Sequence, residues 1–190
     1  MTRATVALLL LIAAGARAQQ RPSFTVQAGG VVAATLPLSV LQDTGVRKQL
    51  ASGLTTTFLL VARPRDARLT AARLEIRYDL WDEVWLVRRI EFDGKSERQR
   101  IASQDALEKW WRAPVRILST NAARLALQVD LTVLPFSAAE EEDAREWITK
   151  SGGVGTAGGG AGALVDILIG TTLSAKPITS YRWHVDLTLR

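Results

Sequence analysis

Cysteine is missing from this sequence, and histidine occurs only once, as His184. The absence of thiols excludes disulfide bonds, thiol catalysis, iron–sulfur clusters and thiolate zinc sites. A metal site built on the single imidazole would need carboxylates for its other ligands. We therefore expect no metal, no cofactor and no catalytic residue.

Long apolar runs are missing as well, apart from one at the start of the chain. Residues 4–14 are almost entirely apolar, follow a charged start at Arg3, and precede the small-residue sequence Ala16-Arg17-Ala18. These are the parts of a secretory signal peptide, and its apolar core is too short for a stable transmembrane helix. We expect a signal peptide at 1–18 and a single globular domain at 19–190, periplasmic or secreted, without a transmembrane helix.

Basic residues are not concentrated in any one segment, although the formal net charge is +5. Proteins that bind nucleic acids usually gather lysine and arginine on one face or arm. We interpret the positive stretches as solvated surface and expect no nucleic-acid partner. These stretches are Arg63-Pro64-Arg65, Arg88-Arg89 and Arg98-Gln99-Arg100.

Alternation of apolar and polar residues predicts several strands. It is strictest from Arg124 to Val133 and recurs from Ile178 to Leu189. A further strand is predicted at Leu54–Ala62, which is β-branched and apolar. The segment Phe24–Leu38 is predicted to form one or two strands, divided at its paired glycines.

Capping residues predict about three short helices. The first lies within Leu41–Ser52, the second follows the N-cap Ser103, and the third runs from Ser137 to about Lys150. At least six strands are predicted, with hairpin-like spacing and no regular alternation of strands with helices. The expected fold is therefore α+β, mainly antiparallel β and sandwich-like, with these helices added.

Residues 68–92 predict a β-hairpin whose register decides which aromatic side chains are exposed. Its second arm has two faces, one carrying Leu86 and the other Trp85. A loop with an odd number of residues would place the Leu86 face beside Ile76, whereas an even loop would place Trp85 there. We favour the odd loop because the Leu86 face is more apolar, and Trp85 would then point outward.

Tryptophan is abundant, with six residues in the chain. Trp81 at the hairpin tip and Trp85 beside it are harder to bury than the others, although core packing of Trp85 is the alternative. Exposed tryptophan is common at recognition sites because it offers a large rigid apolar face and one hydrogen-bond donor. Tyr78, Trp81 and Trp85 are the candidate binding residues, and an envelope protein or a glycan is the expected partner.

Three groups of residues could support catalysis but have simpler explanations. His184 and Asp186 share the polar side of the last strand, and carboxylates occur within 79–83 and 140–143. A surface pair, a turn and the start of a helix account for them without chemistry. An envelope hydrolase using carboxylates or His184 is therefore an alternative function.

A glycine-rich tract at residues 152–162 contains the pattern G-x-G-x-x-G. The dinucleotide-binding fingerprint places this turn between a strand and a helix, whereas a helix is predicted before it here. We interpret the tract as a loop. The apolar segment 164–173 that follows leaves a second alternative, a membrane-surface module that docks into lipid through these residues.

Three stretches of the chain carry a resemblance to a known family. They are Ser52-Gly53-Leu54 leading into Phe58, the hairpin from Arg77-Tyr78-Asp79 to Val87, and the closing Ser180-Tyr181-Arg182-Trp183. They resemble an exported bacterial domain family of unknown function. The resemblance implies an envelope protein and transfers no functional residue. The expected function is a non-enzymatic binding or accessory domain.

Overall fold

The computed structural model describes residues 21–65, 67–136 and 176–188. The described chain is mainly antiparallel β, with nine strands and two α-helices, so the predicted α+β class is confirmed. In chain order the elements are β1 (Ser23–Gln27), β2 (Val31–Thr35), α1 (Thr44–Leu50), β3 (Thr56–Pro64), β4 (Thr70–Asp79), β5 (Val84–Ile90), β6 (Ser96–Ile101), α2 (Gln104–Arg112), β7 (Val115–Ser119), β8 (Arg124–Leu134) and β9 (Thr179–Thr188).

Several predicted segments lie outside the described residues. They are the signal peptide at 1–18, the third helix at 137–150, the glycine-rich tract at 152–162 and the apolar segment at 164–173. Within the described ranges, no helix is both long enough and apolar enough to cross a membrane.

The strands form two antiparallel sheets around one core. The smaller sheet has the order β1-β2-β7, and the larger has the order β6-β5-β4-β3-β8-β9. Buried side chains from both sheets and both helices belong to a single hydrophobic cluster. The side of the six-stranded sheet that contacts this core is termed the inner face, and the opposite side is the outer face.

The side chains of β8 alternate between the two faces of the sheet, as the sequence predicts. Leu127, Val129 and Leu131 are buried on the inner face, whereas Gln128 and Asp130 lie on the outer face. One edge of β8 pairs with β3 and the other with β9. The predicted final strand is therefore confirmed, and it extends the sheet by one strand.

Strand β3 is central to the larger sheet and is buried on both faces. Phe58 and Leu60 contribute to the core on the inner face. Leu59 and Val61 on the outer face are only 5% and 6% exposed. The prediction of a strand buried on at least one face is confirmed.

Side-chain caps begin both helices near the predicted positions. Asp43 Oδ1 accepts hydrogen bonds from the backbone N–H groups of Gly45 and Val46, at 2.9 and 3.3 Å. Ser103 Oγ accepts one from the N–H of Ala106 at 3.2 Å. Such caps satisfy backbone donors that have no partner within the helix.

Helix α2 is fixed to the core by its two tryptophans. Trp110 and Trp111 are both buried, and the indole N–H of Trp111 donates to the carbonyl of Pro37 at 3.1 Å. The same ring meets Phe58 edge-on, with centroids 4.7 Å apart. The helix therefore packs directly against the inner face of β3.

Strands β6 and β7 have no local signal in the sequence and were not expected. Strand β6 reads Ser-Glu-Arg-Gln-Arg-Ile, with only its last residue buried, so no apolar alternation marks it. Its extended conformation depends on pairing with β5. Strand β7 has five residues and pairs with β2, which is distant in sequence.

The hairpin of residues 68–92 is confirmed, but the prediction of an odd loop is wrong. Asp79 pairs with Val84, which leaves four residues in the loop. Ile76 then pairs with Val87, and Tyr78 pairs with Trp85. Trp85 therefore lies on the inner face and packs against the core, instead of pointing outward.

A buried arginine explains why hydrophobicity alone gives the wrong register. Arg89 shares the inner face with Trp85 and is only 8% exposed. Its guanidinium donates to the carbonyl of Trp110, in the last turn of α2, at 2.8 Å, and to the carbonyl of Pro114, just beyond the helix, at 3.3 Å. It also lies over the Trp110 ring, 5.1 Å from the centroid. A cation is favourable at this helix end, so the face with the arginine is the buried one.

Candidate recognition site at the hairpin tip

Asp79 fixes the turn between β4 and β5 and thereby positions Trp81. Its Oδ1 accepts hydrogen bonds from the backbone N–H groups of Trp81 at 3.0 Å and Asp82 at 3.3 Å. The bonds from Asp82 and Trp81 hold the pKa of Asp79 below its ordinary value, because they favour the carboxylate. Asp82 in turn pairs with Arg100 of β6 at 2.6 Å. These carboxylates therefore shape the turn, as the sequence suggests.

Three apolar side chains are exposed around this turn. Trp81 is 96% exposed, Leu80 61% and Leu54 49%. The side chain of Leu80 packs closely over Gly53, in the loop between α1 and β3. It leaves no room for a side chain there, since a Cβ at Gly53 would lie only 3.0 Å from Leu80 Cδ1. Since Leu54 directly follows Gly53, all three side chains belong to one end of the molecule. Leu54, Leu80 and Trp81 are termed the tip patch.

The other two candidate residues, Tyr78 and Trp85, contact each other. Their ring centroids are 4.7 Å apart, with the planes inclined by 50°. Both side chains lie on the inner face and are half-buried. Among the described aromatic residues, no ring contact joins Trp81 to either of them. The structure therefore divides the candidate set into the exposed Trp81 and a half-buried aromatic pair, of which Trp85 packs against the core.

Trp85 also lines an open groove of about 470 Å³ between the two helices. Leu50 of α1 and Leu107 of α2 contribute apolar surface to it. Because Trp85 packs against the core as well, its ring stabilises the contact between sheet and helices. Removal of this ring would therefore disturb folding, so a variant at Trp85 would not measure binding alone.

His184 and Asp186 lie on the outer face of β9 and are both exposed, as predicted. His184 lies beside Gln128 of the neighbouring strand. In the described part of the chain, no group of three or more histidine, cysteine, aspartate or glutamate residues could hold a metal ion. The carboxylates at 140–143 lie outside the described residues.

Four arginines that the sequence separates are brought together on the outer face. Arg77 of β4, Arg88 of β5, and Arg98 and Arg100 of β6 line one cleft of about 510 Å³. No single basic stretch of the sequence reveals this cluster, because its members come from three strands. The stretches Arg88-Arg89 and Arg98-Gln99-Arg100 contribute to one cleft only because β4, β5 and β6 pair with one another.

Comparison with known proteins gives no match to any family model, curated protein or solved structure. The function is therefore inferred from the geometry of the surface.

Proposed function

We propose that this protein is an exported, non-enzymatic binding domain of the bacterial cell envelope. Its tip patch would bind another envelope protein or a glycan. The observation that carries this proposal is the 96% exposure of Trp81. Keeping so large an apolar ring in water costs free energy, which contact with a partner would recover.

The fixed geometry of the turn also supports recognition. Asp79 holds the backbone of Trp81, and the pair between Asp82 and Arg100 ties the turn to β6. Leu80 is placed against the loop at Gly53. A surface that is already ordered loses less conformational entropy on binding than a flexible loop does.

Export is part of the same proposal and rests on the sequence of residues 1–18. A domain without disulfides is compatible with the periplasm, where a chain of this length can bury a sufficient core without covalent links. The partner would then be another component of the envelope.

The first test is the substitution Trp81→Ala. Purified protein would be bound to resin and incubated with solubilised envelope fractions and, separately, with isolated cell-wall glycan. We expect the variant to lose capture of the partner that the original protein retains, because the central anchor of the patch is gone. Its melting temperature should be unchanged, since Trp81 buries almost no surface.

Val26→Ala provides a matched control, because Val26 is an exposed apolar residue in the other sheet, at 40% exposure. This control should retain capture. Equal capture by the original protein and Trp81→Ala would contradict the role of the tip patch. Turnover of glycan or ester substrates by the purified protein would instead support the hydrolase alternative.

A further inference from the structure

The outer face next to the tip patch carries an ordered array of arginines. Strand pairing places Arg77, Leu86 and Arg100 side by side on β4, β5 and β6. In the next row, Arg88 lies between Glu75 on one side and Arg98 on the other. Alternate residues of a strand point to the same face, so both rows lie on one surface.

These two rows line an open cleft of about 510 Å³, with Leu86 between the charged side chains. This volume lies within the range of roughly 300–1,000 Å³ that is usual for small-molecule sites. Arg77, Arg98 and Arg100 are exposed, so their guanidinium groups are accessible to a ligand.

Like charges directly opposite each other in a sheet are unfavourable, and Arg88 faces Arg98 in this way. The carboxylate of the buried Glu75 is already shared between two arginines, because it lies 3.2 Å from Arg73 and 3.7 Å from Arg88. Among the described residues, no ion pair joins Arg77 or Arg98 to a carboxylate.

The balance of charge around the cleft is positive. Five arginines face three carboxylates, which leaves a net charge of +2 on this surface. The arginines are Arg73, Arg77, Arg88, Arg98 and Arg100, and the carboxylates are Glu75, Asp79 and Asp82.

We propose that this cleft is a binding site for a phosphate group, held by Arg77 and Arg98 across the strands. The planar guanidinium fork matches phosphate oxygens and can bond them in pairs. A dianion would offset the excess positive charge and relieve the repulsion between Arg88 and Arg98.

Protection of a sheet edge explains only part of this array. Charged residues on an edge strand discourage pairing with other chains, and β6 is an edge strand. Arg77 and Arg88, however, lie on the interior strands β4 and β5. The contact with Glu75 accounts for Arg88, whereas the exposed Arg77 forms no ion pair among the described residues. A bound anion would explain the position of Arg77 in the cleft.

The phosphate could belong to a soluble molecule or to a lipid head group. A lipid head group is compatible with the position of the cleft beside Trp81. Asp82, the neighbour of Trp81 in the hairpin turn, contacts Arg100, which lines the cleft. Tryptophan and basic residues together are favourable at the interface of an anionic membrane.

Calorimetry with inorganic pyrophosphate at constant ionic strength tests the site in solution. Arg77→Gln and Arg98→Gln should each weaken binding about tenfold, because each removes a charge-assisted hydrogen bond. Arg124→Gln is the matched control, since Arg124 is exposed on the same face at the opposite end of the sheet. It should bind as the original protein does, and melting curves should show that all three variants fold.

Sedimentation with vesicles of phosphatidylcholine, with and without phosphatidic acid, distinguishes the two sources. Binding of pyrophosphate alone indicates a soluble phosphate ligand. Additional binding to vesicles that contain phosphatidic acid indicates a lipid head group, provided that Arg77→Gln and Arg98→Gln both weaken it. Absence of both kinds of binding overturns the proposal. Equal weakening by Arg124→Gln overturns it too, because the effect would then follow net charge alone. Loss of capture in Trp81→Ala does not bear on this result.

Discussion

Trp183 and His184 are neighbours in β9 that face opposite sides of the sheet. Trp183 is 6% exposed and lies parallel to Tyr181, with ring centroids 5.8 Å apart, whereas His184 is exposed. We expect Trp183→Ala to lower the free energy of unfolding by about 3–5 kcal/mol, since it removes a buried ring and leaves a cavity. His184→Ala should cost less than about 0.5 kcal/mol.

Denaturant titration of both variants measures this difference. Large and equal losses of unfolding free energy in the two variants would mean that β9 is buried on both faces. His184 would then contribute to the stability of the protein. A small loss at Trp183 would contradict the core position of this strand.

Asp130 is the residue at which stability should depend most clearly on pH. Its carboxylate lies 2.6 Å from Arg182 and 3.1 Å from Arg63, and the amide of Gln128 donates to it at 3.0 Å. Burial by itself would raise the pKa of Asp130, but the hydrogen bonds from these side chains outweigh it. The pKa therefore lies below its ordinary value.

Because the native pKa is lower than the unfolded one, the ionised Asp130 stabilises the protein above the unfolded value of about 3.9. This stabilisation is lost as the pH falls below that value and through the native pKa. Asp130→Asn should therefore cost about 1 kcal/mol at neutral pH, a modest amount because both arginines are largely exposed. The cost should shrink at pH ~3.

Urea unfolding at both pH values, with Asp186→Asn as an exposed control on the same face, checks this prediction. The control should have little effect at either pH. A cost for Asp130→Asn that is the same at both values would show that the carboxylate charge is not what stabilises this site.

Among the helices and strands, the sequence predicts those whose signals are local. The alternation in β8 and the Ser103 cap of α2 each depend on residues a few positions apart, and both predictions are confirmed. Strand β6 has no such signal, because it is a polar edge strand and is extended only through its pairing with β5. Pairing between distant segments is therefore the part of this fold that local patterns miss.

The candidate site likewise contains residues that local patterns predict and residues that depend on strand pairing. The position of Trp81 follows from its place in a turn, so its exposure can be predicted locally. The orientation of Trp85 depends on the register of the hairpin, and the burial of Arg89 against α2 reverses the choice that hydrophobicity favours. The arginine cleft requires the register of three strands, which no single stretch of sequence contains.

In the folded protein the tip patch and the arginine cleft adjoin. Asp82 of the hairpin turn pairs with Arg100, which lines the cleft. Leu54 of the patch is next in sequence to Thr55, which also lines the cleft. An apolar and a cationic surface therefore meet at one end of the larger sheet. A ligand with a phosphate group beside an apolar body could contact both.

The proposed export of this protein can be tested at its cleavage site. Ala16 and Ala18 are small enough for the two subsites that a signal peptidase reads, so the exported chain should begin at Gln19. Intact mass spectrometry of protein recovered from the periplasm or medium measures this directly. Ala18→Leu should block cleavage and leave the precursor mass, whereas Gln20→Leu, outside the small-residue sites, should be processed normally. Recovery of the original chain with its first 18 residues intact would contradict both the cleavage site and the envelope location. Cleavage between Ala18 and Gln19 would also remove the charges of Arg3 and Arg17. The arginine cleft would then carry a larger share of the positive charge that remains.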